Sequence, residues 1–433
     1  MKKKISEKNN RGLVLTLIPT HAQKLLLDKH LNDIRFIYNK YVEEYLKALK
    51  EDRIPNYKNY QELRTEYEFL KGLYSWTLQQ VLYKFIQTNK INRTKRSKNQ
   101  KVGLVRFRSK KAHSDYYYVN NIKLSYNPDY KSKSYVKIPK IGNVRFKYGN
   151  IKPEFLKGKI KLGVVRRSKT GTYKISLSIE IDKIHENRVS NDHIGLDFSL
   201  KDFFVDSLGA HAPEFSTKRS KMELLRQKID SINERISKMR NKSLKKRKVS
   251  VKTYRLTMKR NKLYEKVSHI QKDYINKLTR DLCLHNELIV LEDLNLHEIS
   301  EHTSYLDSKT STKGGNHGKS ASLLQWNYFC QKLEENIEKF GCILVYADKF
   351  YPSSQICSKC GQKHPEMKDV TKRTLKCKCG NIIDRDYNSA LNLLRAGEKY
   401  LTLGKELSEY KAFKCLDFSE SKYLNYNQKS DCK

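Results

Sequence analysis

The run Ile194-Gly195-Leu196-Asp197-Phe198 sets one carboxylate in the middle of an apolar, strand-forming stretch. Taking a carboxylate out of water costs several kcal/mol unless something cationic compensates it, so its place there asks for a cationic partner. A second apolar run, Leu288-Ile289-Val290-Leu291-Glu292-Asp293-Leu294, carries acids at its end, and a third, Ile343–Ala347, carries none. Between them, Leu224 to Lys277 reads as a long helical pair and Leu323 to Phe340 as one more helix. Strands alternating with helices give an α/β half. Further on, Asn381-Ile382-Ile383-Asp384-Arg385-Asp386-Tyr387-Asn388-Ser389-Ala390 puts two acids at the mouth of a helix. Three carboxylates at strand ends and a helix start can hold two Mg²⁺ ions about 4 Å apart, one activating a water and one stabilising a leaving phosphodiester oxygen. Each acid also has an ordinary reading: Asp197 as a salt-bridged strand acid, Glu292-Asp293 as a strand-end cap, and Asp384-Arg385-Asp386 as an N-cap with an internal ion pair.

Towards the N-terminus, Gly12–Ile18 reads as a strand. Thr20 with Gln23 three residues later forms a capping box for a helix that turns Leu26, Leu27, Leu31, Ile34, Ile37 and Tyr38 inward. A second helix is expected from about Glu62 to Asn89, with Leu73, Trp76, Leu78, Val81, Leu82 and Phe85 at helical spacing as a core face. From Val102 to Ile181 short alternating runs broken by Gly, Pro and Asn predict antiparallel β structure, a small barrel closed with the first strand and holding a helical insert. A polar stretch, Asp182 to His193, separates the halves. His302 to Ser322, with Gly314-Gly315 inside it, reads as a mobile loop beside Glu292 and a candidate lid.

The balance of 88 Lys and Arg against 47 Asp and Glu leaves a formal charge of +41. Self-repulsion of that size implies a polyanionic partner, nucleic acid ahead of an anionic membrane surface. The 28 Tyr and 15 Phe among the basic residues argue against intrinsic disorder. No apolar run approaches the length of a membrane span and no signal peptide is visible, so a cytoplasmic protein is expected, associated with the nucleoid when on target. Two windows hold the charge without a single acid: residues 84–111, with Arg93, Lys95, Arg96, Arg106 and Arg108, and residues 240–262, with Lys245, Lys246, Arg247 and Lys248. A solvated helix face would intersperse Glu, so these windows read as phosphate-binding, with Tyr116, Tyr117, Tyr118 and Tyr254 available for packing or stacking.

Cys357-x-x-Cys360-Gly361 and Cys377-x-Cys379-Gly380 are 16 residues apart. Paired thiolates with a glycine after each pair predict a four-cysteine zinc site, structural because four sulfurs leave no open position. The second pair is tighter than the usual spacing. Cys283, Cys330, Cys342, Cys415 and Cys432 have no ligand spacing and read as core or incidental thiols.

Together, Gly195-Leu196-Asp197, Leu291-Glu292-Asp293-Leu294, Pro352 to Gly361 and Cys379 to Ala390 resemble the C-terminal signature of TnpB. TnpB proteins are insertion-sequence-encoded nucleases related to miniature type V CRISPR effectors. Leu17-Ile18-Pro19-Thr20, Arg35 to Asn39 and Ile138 to Gly142 are similar to the same family, so the resemblance spans about residues 12–396. It implies an α+β multidomain fold: an oligonucleotide-binding-like wedge β-barrel over 1–19 and 102–190 with a helical recognition insert over 20–101, then a RuvC domain of RNase H-like α/β fold over 191–350 and 383–396. A zinc-ribbon-like target-nucleic-acid-binding insertion occupies 351–382, and 397–433 is a C-terminal tail. The implied activity is Mg²⁺-dependent, RNA-guided cleavage of double-stranded DNA beside a short flanking motif, with Asp197, Glu292 and Asp386 as catalytic ligands of two Mg²⁺. Cys357, Cys360, Cys377 and Cys379 would hold one Zn²⁺, and Asp384 becomes a capping candidate. Guide RNA and target DNA are the implied partners, with no membrane; the oligomeric state stays open, a monomer being favoured. An RNA-guided repressor that binds without cutting is the rival from another class, though all three acids are retained. A miniature CRISPR effector would share the mechanism.

Overall fold

The computed structural model describes residues 8–100, 102–110, 115–129, 134–147, 149, 151–183, 185–242, 250–294, 324–403 and 413–418. The loop expected at 302–322 and the run Lys245–Lys248 lie outside the described residues. The chain divides into two compact units, Met1–Lys183 and Ile184–Lys433. Among the described residues no helix is long and apolar enough to cross a membrane.

In the first unit, β1 (Lys8–Ile18) leads into α1 (His21–Lys50), α2 (Tyr60–Glu66) and α3 (Ser75–Ser97). The strands β2 (Tyr116–Val119), β3 (Lys123–Ser125), β4 (Tyr135–Ile138) and β5 (Gly142–Phe146) follow. After the one-turn α4 (Pro153–Lys157) come β6 (Lys159–Arg167) and β7 (Tyr173–Asp182). The seven strands form an antiparallel sheet in the order β2-β6-β7-β1-β5-β4-β3. β1 is central: Lys8–Thr16 pairs with β7, and Leu17–Ile18 pairs with β5. In β7 every second residue from Tyr173 to Ile181 is buried, the signature of a sheet with one covered face.

The helices inserted after β1 begin as the sequence predicts. The Thr20 side chain accepts from the Gln23 amide at 3.3 Å and Gln23 reaches back to the Thr20 amide at 3.0 Å. Leu27, Leu31, Ile34 and Ile37 are buried and Tyr38 is half-buried. Leu26 is exposed, since it lies about 100° round the helix from Leu27, at the margin of the stripe. The single helix expected over Glu62–Asn89 is interrupted: a 3₁₀ turn at Glu68–Gly72 and extended Leu73 separate α2 from α3. Gly72 favours such a break because it gains least from helix formation.

The second unit contains β8 (Asp192–Ser199), β9 (Phe203–Asp206), α5 (Phe215–Lys242), α6 (Val251–His285) and β10 (Asn286–Glu292). These are followed by α7 (Trp326–Phe340), β11 (Ile343–Ala347), the hairpin β12 (Thr374–Lys376) and β13 (Ile382–Asp384), α8 (Arg385–Leu403) and β14 (Lys414–Asp417). Its five-stranded sheet runs β14-β11-β10-β8-β9, with β8, β10 and β11 parallel and both edge strands antiparallel. The three parallel strands are the three apolar runs of the sequence. They read as continuous because both faces are covered. Leu196, Ile289, Leu291 and Leu344 pack with Leu278, Phe329 and Leu333 of α6 and α7. Leu288, Val290, Val345 and Ala347 pack with Leu393, Ala396 and Tyr400 of α8.

The tail expected from residue 397 is corrected where it is described. α8 continues to Leu403, and β14 closes one edge of the sheet against β11. The helix continues because Tyr400 is buried against Phe413, which gives the extra turn an apolar face.

Candidate active site and metal centre

Alternation along two strands decides where the carboxylates go. On β8, Leu196 points to α6 and α7, so Gly195 and Asp197 point the other way, towards α8. On β10, Ile289 and Leu291 share that first face, so Val290 and Glu292 share the second. The ladder pairs Leu196 with Leu291, and Asp197 and Glu292 are the next residues along. Both carboxylates therefore stand at the carboxyl ends of neighbouring parallel strands on the face that α8 covers.

Two glycines set α8 down on that face. A Cβ on Gly195 would lie 2.2 Å from the Ala390 carbonyl oxygen, and one on Gly397 would lie 2.3 Å from Val290 Cγ2. The amino end of the helix is fixed by Asp384, whose Oδ1 accepts from the amides of Asp386 at 2.9 Å and Tyr387 at 3.1 Å. That cap places Asp386 in the first turn, beside the sheet carboxylates. The positive end of the helix dipole also lies there, which favours negative charge.

The electrostatics tie the three acids together. Asp197 is half-buried, and its pKa is raised well above the carboxylate range. Burial is the main cause; the charges of Asp386 and Glu292 add to it, while the Ser389 hydrogen bond opposes it. Burial, with the Asp348 carboxylate, pushes Glu292 up to about 7. Asp386 is raised as well, by burial and by Asp384 and Asp202, against the pull of Arg373 and Arg385. A centre that holds protons this tightly is one that favours a cation.

Several groups in the site were not singled out by the sequence reading. The Ser389 hydroxyl donates to Asp197 Oδ1 at 3.0 Å and lies 2.8 Å from the Ser353 hydroxyl. Asn388 donates to the Ile356 carbonyl at 2.7 Å and accepts from the Ser358 amide at 2.9 Å. Asn392 donates to the carbonyls of Ser353 and Ile356. One buried face of α8 thus grips the segment leading into the first cysteine pair and steadies Asp197 at the same time. Their signal in the sequence was three polar residues, Asn388, Ser389 and Asn392, at i, i+1 and i+4, on the face of the helix that also carries Ala390, Leu393, Ala396 and Tyr400.

The four cysteines converge. All four Sγ atoms lie within 4.8 Å of one another, the one such group of potential ligands among the described residues. Cys357 and Cys379 are 3.7 Å apart, and Cys360 and Cys377 are 3.4 Å apart. Gly361 and Gly380 adopt φ of +79° and +83°, and their amides donate to the carbonyls of Cys357 and Cys377. Each pair thus folds as a turn that only glycine closes without strain. The tight second pair is accommodated by this turn. Burial acts to raise the Cys357 thiol, but the Asn381 amide at 3.3 Å and the amides of Cys360 and Lys359 outweigh it, lowering it to about 6.

The basic residues singled out in the sequence divide. Arg93 and Lys95 near the end of α3, and Arg106 beyond it, are exposed. Arg96 is half-buried and donates to the Asn92 carbonyl. Arg108 stacks on Tyr38 with its guanidinium carbon 3.6 Å from the ring centre, and its backbone exchanges two hydrogen bonds with Asn39. Of the tyrosines, Tyr117 is buried, and Tyr116 meets Tyr118 edge to face.

Comparison with known proteins bears on both ends of the chain. A family model described as the Cas12f1-like TNB domain matches residues 326–393, and one described as a helix-turn-helix domain (OrfB, IS605) matches residues 9–53. In this chain the latter segment is β1 followed by the single long helix α1. A curated protein of Streptomyces pristinaespiralis named "Putative RNA-guided DNA endonuclease" is 28% identical over 136 residues, which is 31% of this chain and 31% of that protein. Two solved structures align at low identity. The cryo-EM structure of a Cas12f1–sgRNA–target DNA complex is 14% identical with a TM-score of 0.44, covering 90% of this chain and 99% of that one. A CRISPR–Cas12f ternary complex is 15% identical with a TM-score of 0.32, covering 86% and 81%. One family model thus falls on β1 and α1, and the other runs from α7 through the cysteine turns to the acid-bearing start of α8, while the chain spans about a third of the length of the curated relative it matches.

Proposed function

We propose that this protein is an RNA-guided DNA endonuclease whose cutting centre is Asp197, Glu292 and Asp386. The observation that carries the reading is that Asp386 and Glu292 both act electrostatically on Asp197, all three with raised pKa values, in a chain of charge +41, although among the described residues their oxygens do not converge as tightly as the four cysteine sulfurs. Hard carboxylate oxygens in a pocket that favours positive charge suit Mg²⁺. When bound, two such ions supply an activated water and a stabilised leaving oxygen. The protein's own contribution is placement: the parallel strands present Asp197 and Glu292, Asp384 caps the helix that presents Asp386, and Ser389 holds Asp197 in one orientation. The sheet of the second unit is read as an RNase H-like RuvC domain over 191–350 and 383–396, with 351–382 as its insertion. The first unit is read as an oligonucleotide-binding-like wedge over 1–19 and 102–190 carrying the helical recognition insert 20–101.

Four thiolates suit a structural Zn²⁺. A Zn–S bond of about 2.3 Å implies sulfur–sulfur edges of about 3.8 Å, near the spacing the cysteines already have. In the proposed reaction a guide RNA supplies sequence by base pairing, while the protein holds backbone and shape and reads a short flanking motif. Arg93, Lys95, Arg96, Arg106 and the run Lys245–Lys248 are assigned to the phosphate backbones.

The test is to co-express the protein with its flanking genomic DNA and sequence the RNA that co-purifies. The complex is then incubated with Mg²⁺ and a plasmid library holding a guide-matched target beside randomised flanks. A discrete RNA with cut plasmids is expected. Binding without cutting would replace the reading with a guided repressor, and no specific RNA would reject guidance.

A further inference from the structure

One feature of the centre is unlike the others: a cation already stands on it. Nη1 of Arg373 is 3.3 Å from both Oδ1 and Oδ2 of Asp386. Equal distances to the two oxygens put the nitrogen in the plane that bisects the carboxylate, the plane that an ion shared by both oxygens would also occupy. Arg373 comes from the cysteine-bearing insertion, just before β12. Its carbonyl accepts from the Arg385 amide at 2.8 Å, which fixes its backbone beside the first turn of α8. Its side chain is 67% exposed, against 24% for Asp386. Asp386 is the one hydrogen-bonding partner of its guanidinium among the described residues. The neighbouring Arg385 is held elsewhere, donating to the Asp369 carbonyl at 3.1 Å. Arg385 acts on the centre only through its charge, whereas Arg373 bonds it directly from a fixed base with an exposed side chain, and a largely exposed ion pair of this kind is weak enough to be exchanged.

We infer that Arg373 is a removable counter-ion for Asp386, competing with a divalent metal ion for the same two carboxylate oxygens. This rests on the reading of Asp386 as a metal ligand. Until an ion arrives, the guanidinium offsets part of the repulsion among Asp386, Asp197 and Glu292. Loading the site requires the guanidinium to swing into solvent. Arg373 is a positioning residue in this scheme, and its effect falls on metal affinity.

The experiment is Mn²⁺ titration of the zinc-replete full chain by calorimetry and by electron paramagnetic resonance of free Mn²⁺, without nucleic acid and at low salt. Arg373→Gln is expected to bind Mn²⁺ about fivefold more tightly than the parent, the scale of one partly exposed ion pair. Arg373→Lys, which keeps the charge, should stay within about twofold of the parent. The gap between parent and Arg373→Gln should narrow at high salt, where the competing pair is screened. Equal or weaker binding by Arg373→Gln overturns the inference. Asp386→Asn separates the two failures: if it leaves Mn²⁺ affinity unchanged, the metal-ligand reading itself is wrong. If it weakens binding while Arg373→Gln changes nothing, only the competition is wrong.

Discussion

Asp197 is the acid on which both other carboxylates act and which Ser389 bonds, and no neighbour can take over its position. Asp197→Ala should abolish cleavage, by at least about a thousandfold, while guide and target binding stay within about twofold. Retained cutting in a plasmid assay would remove Asp197 from the mechanism. Ser389→Ala loses one hydrogen bond to that carboxylate and should lower the turnover rate about tenfold with little change in target affinity. A change in affinity alone would contradict its orienting role. Asp33 on α1 offers a test away from the centre. Burial raises its pKa from 3.8 to about 6, and its Oδ2 has no partner among the described residues. A carboxyl raised in the folded state supports stability below its unfolded value, and that support is lost as pH rises through 6. Asp33→Asn should therefore raise the melting temperature at pH 8 and have no effect near pH 3.5; the opposite trend would mean that Asp33 is stabilised as the anion.

The element that organises the second unit is α8. Its contact with the sheet depends on Gly195, because the atom a side chain would strike is a backbone carbonyl that cannot rotate away. Gly195→Ala should cost about 3 kcal/mol or more in denaturant unfolding, the range for overpacking against a rigid neighbour. A midpoint shift worth less than about 1 kcal/mol would show that α8 does not press on β8. The same helix grips the cysteine turns through Asn388 and Asn392. Cys357→Ser should lower zinc content and loosen Ser353, and with it the hydroxyl pair that steadies Asp197. Full zinc stoichiometry in that variant would reject the four-cysteine site.

For the molecule as a whole the controlling quantity is its charge. Substituting Arg93, Lys95 and Arg96 by Gln should weaken nucleic-acid binding across sequences and flatten the dependence of log affinity on log salt by roughly two to three units. The same substitution of Lys245, Lys246, Arg247 and Lys248 should act in the same direction. An unchanged slope in either case would leave that run as a solvated surface. Arg108 is predicted to differ: it is stacked on Tyr38 and bonded through its backbone to Asn39, so its loss should appear in stability more than in salt slope.

Local rules were enough for much of this. Thr20 and Gln23 announced the start of α1, because a capping box is made by four consecutive residues. The apolar runs announced β8, β10 and β11, because strands covered on both faces cannot alternate. Cys357, Cys360, Cys377 and Cys379 were legible from spacing, since each turn closes within five residues. The position of Asp197 inside an apolar run marked it as a carboxylate in need of a cation. Long-range packing decided the rest. β9 and β14 are four residues each, too short for a periodic signal, and they exist because the parallel strands β8 and β11 beside them supply partners. Leu26 and the break before α3 depend on which face of a helix meets the rest of the unit. Ser389, Asn388, Asn392 and Arg373 matter only because α8 is set onto the sheet through Gly195 and Gly397. That pairing of distant surfaces is a property of the folded chain, and no local pattern encodes it.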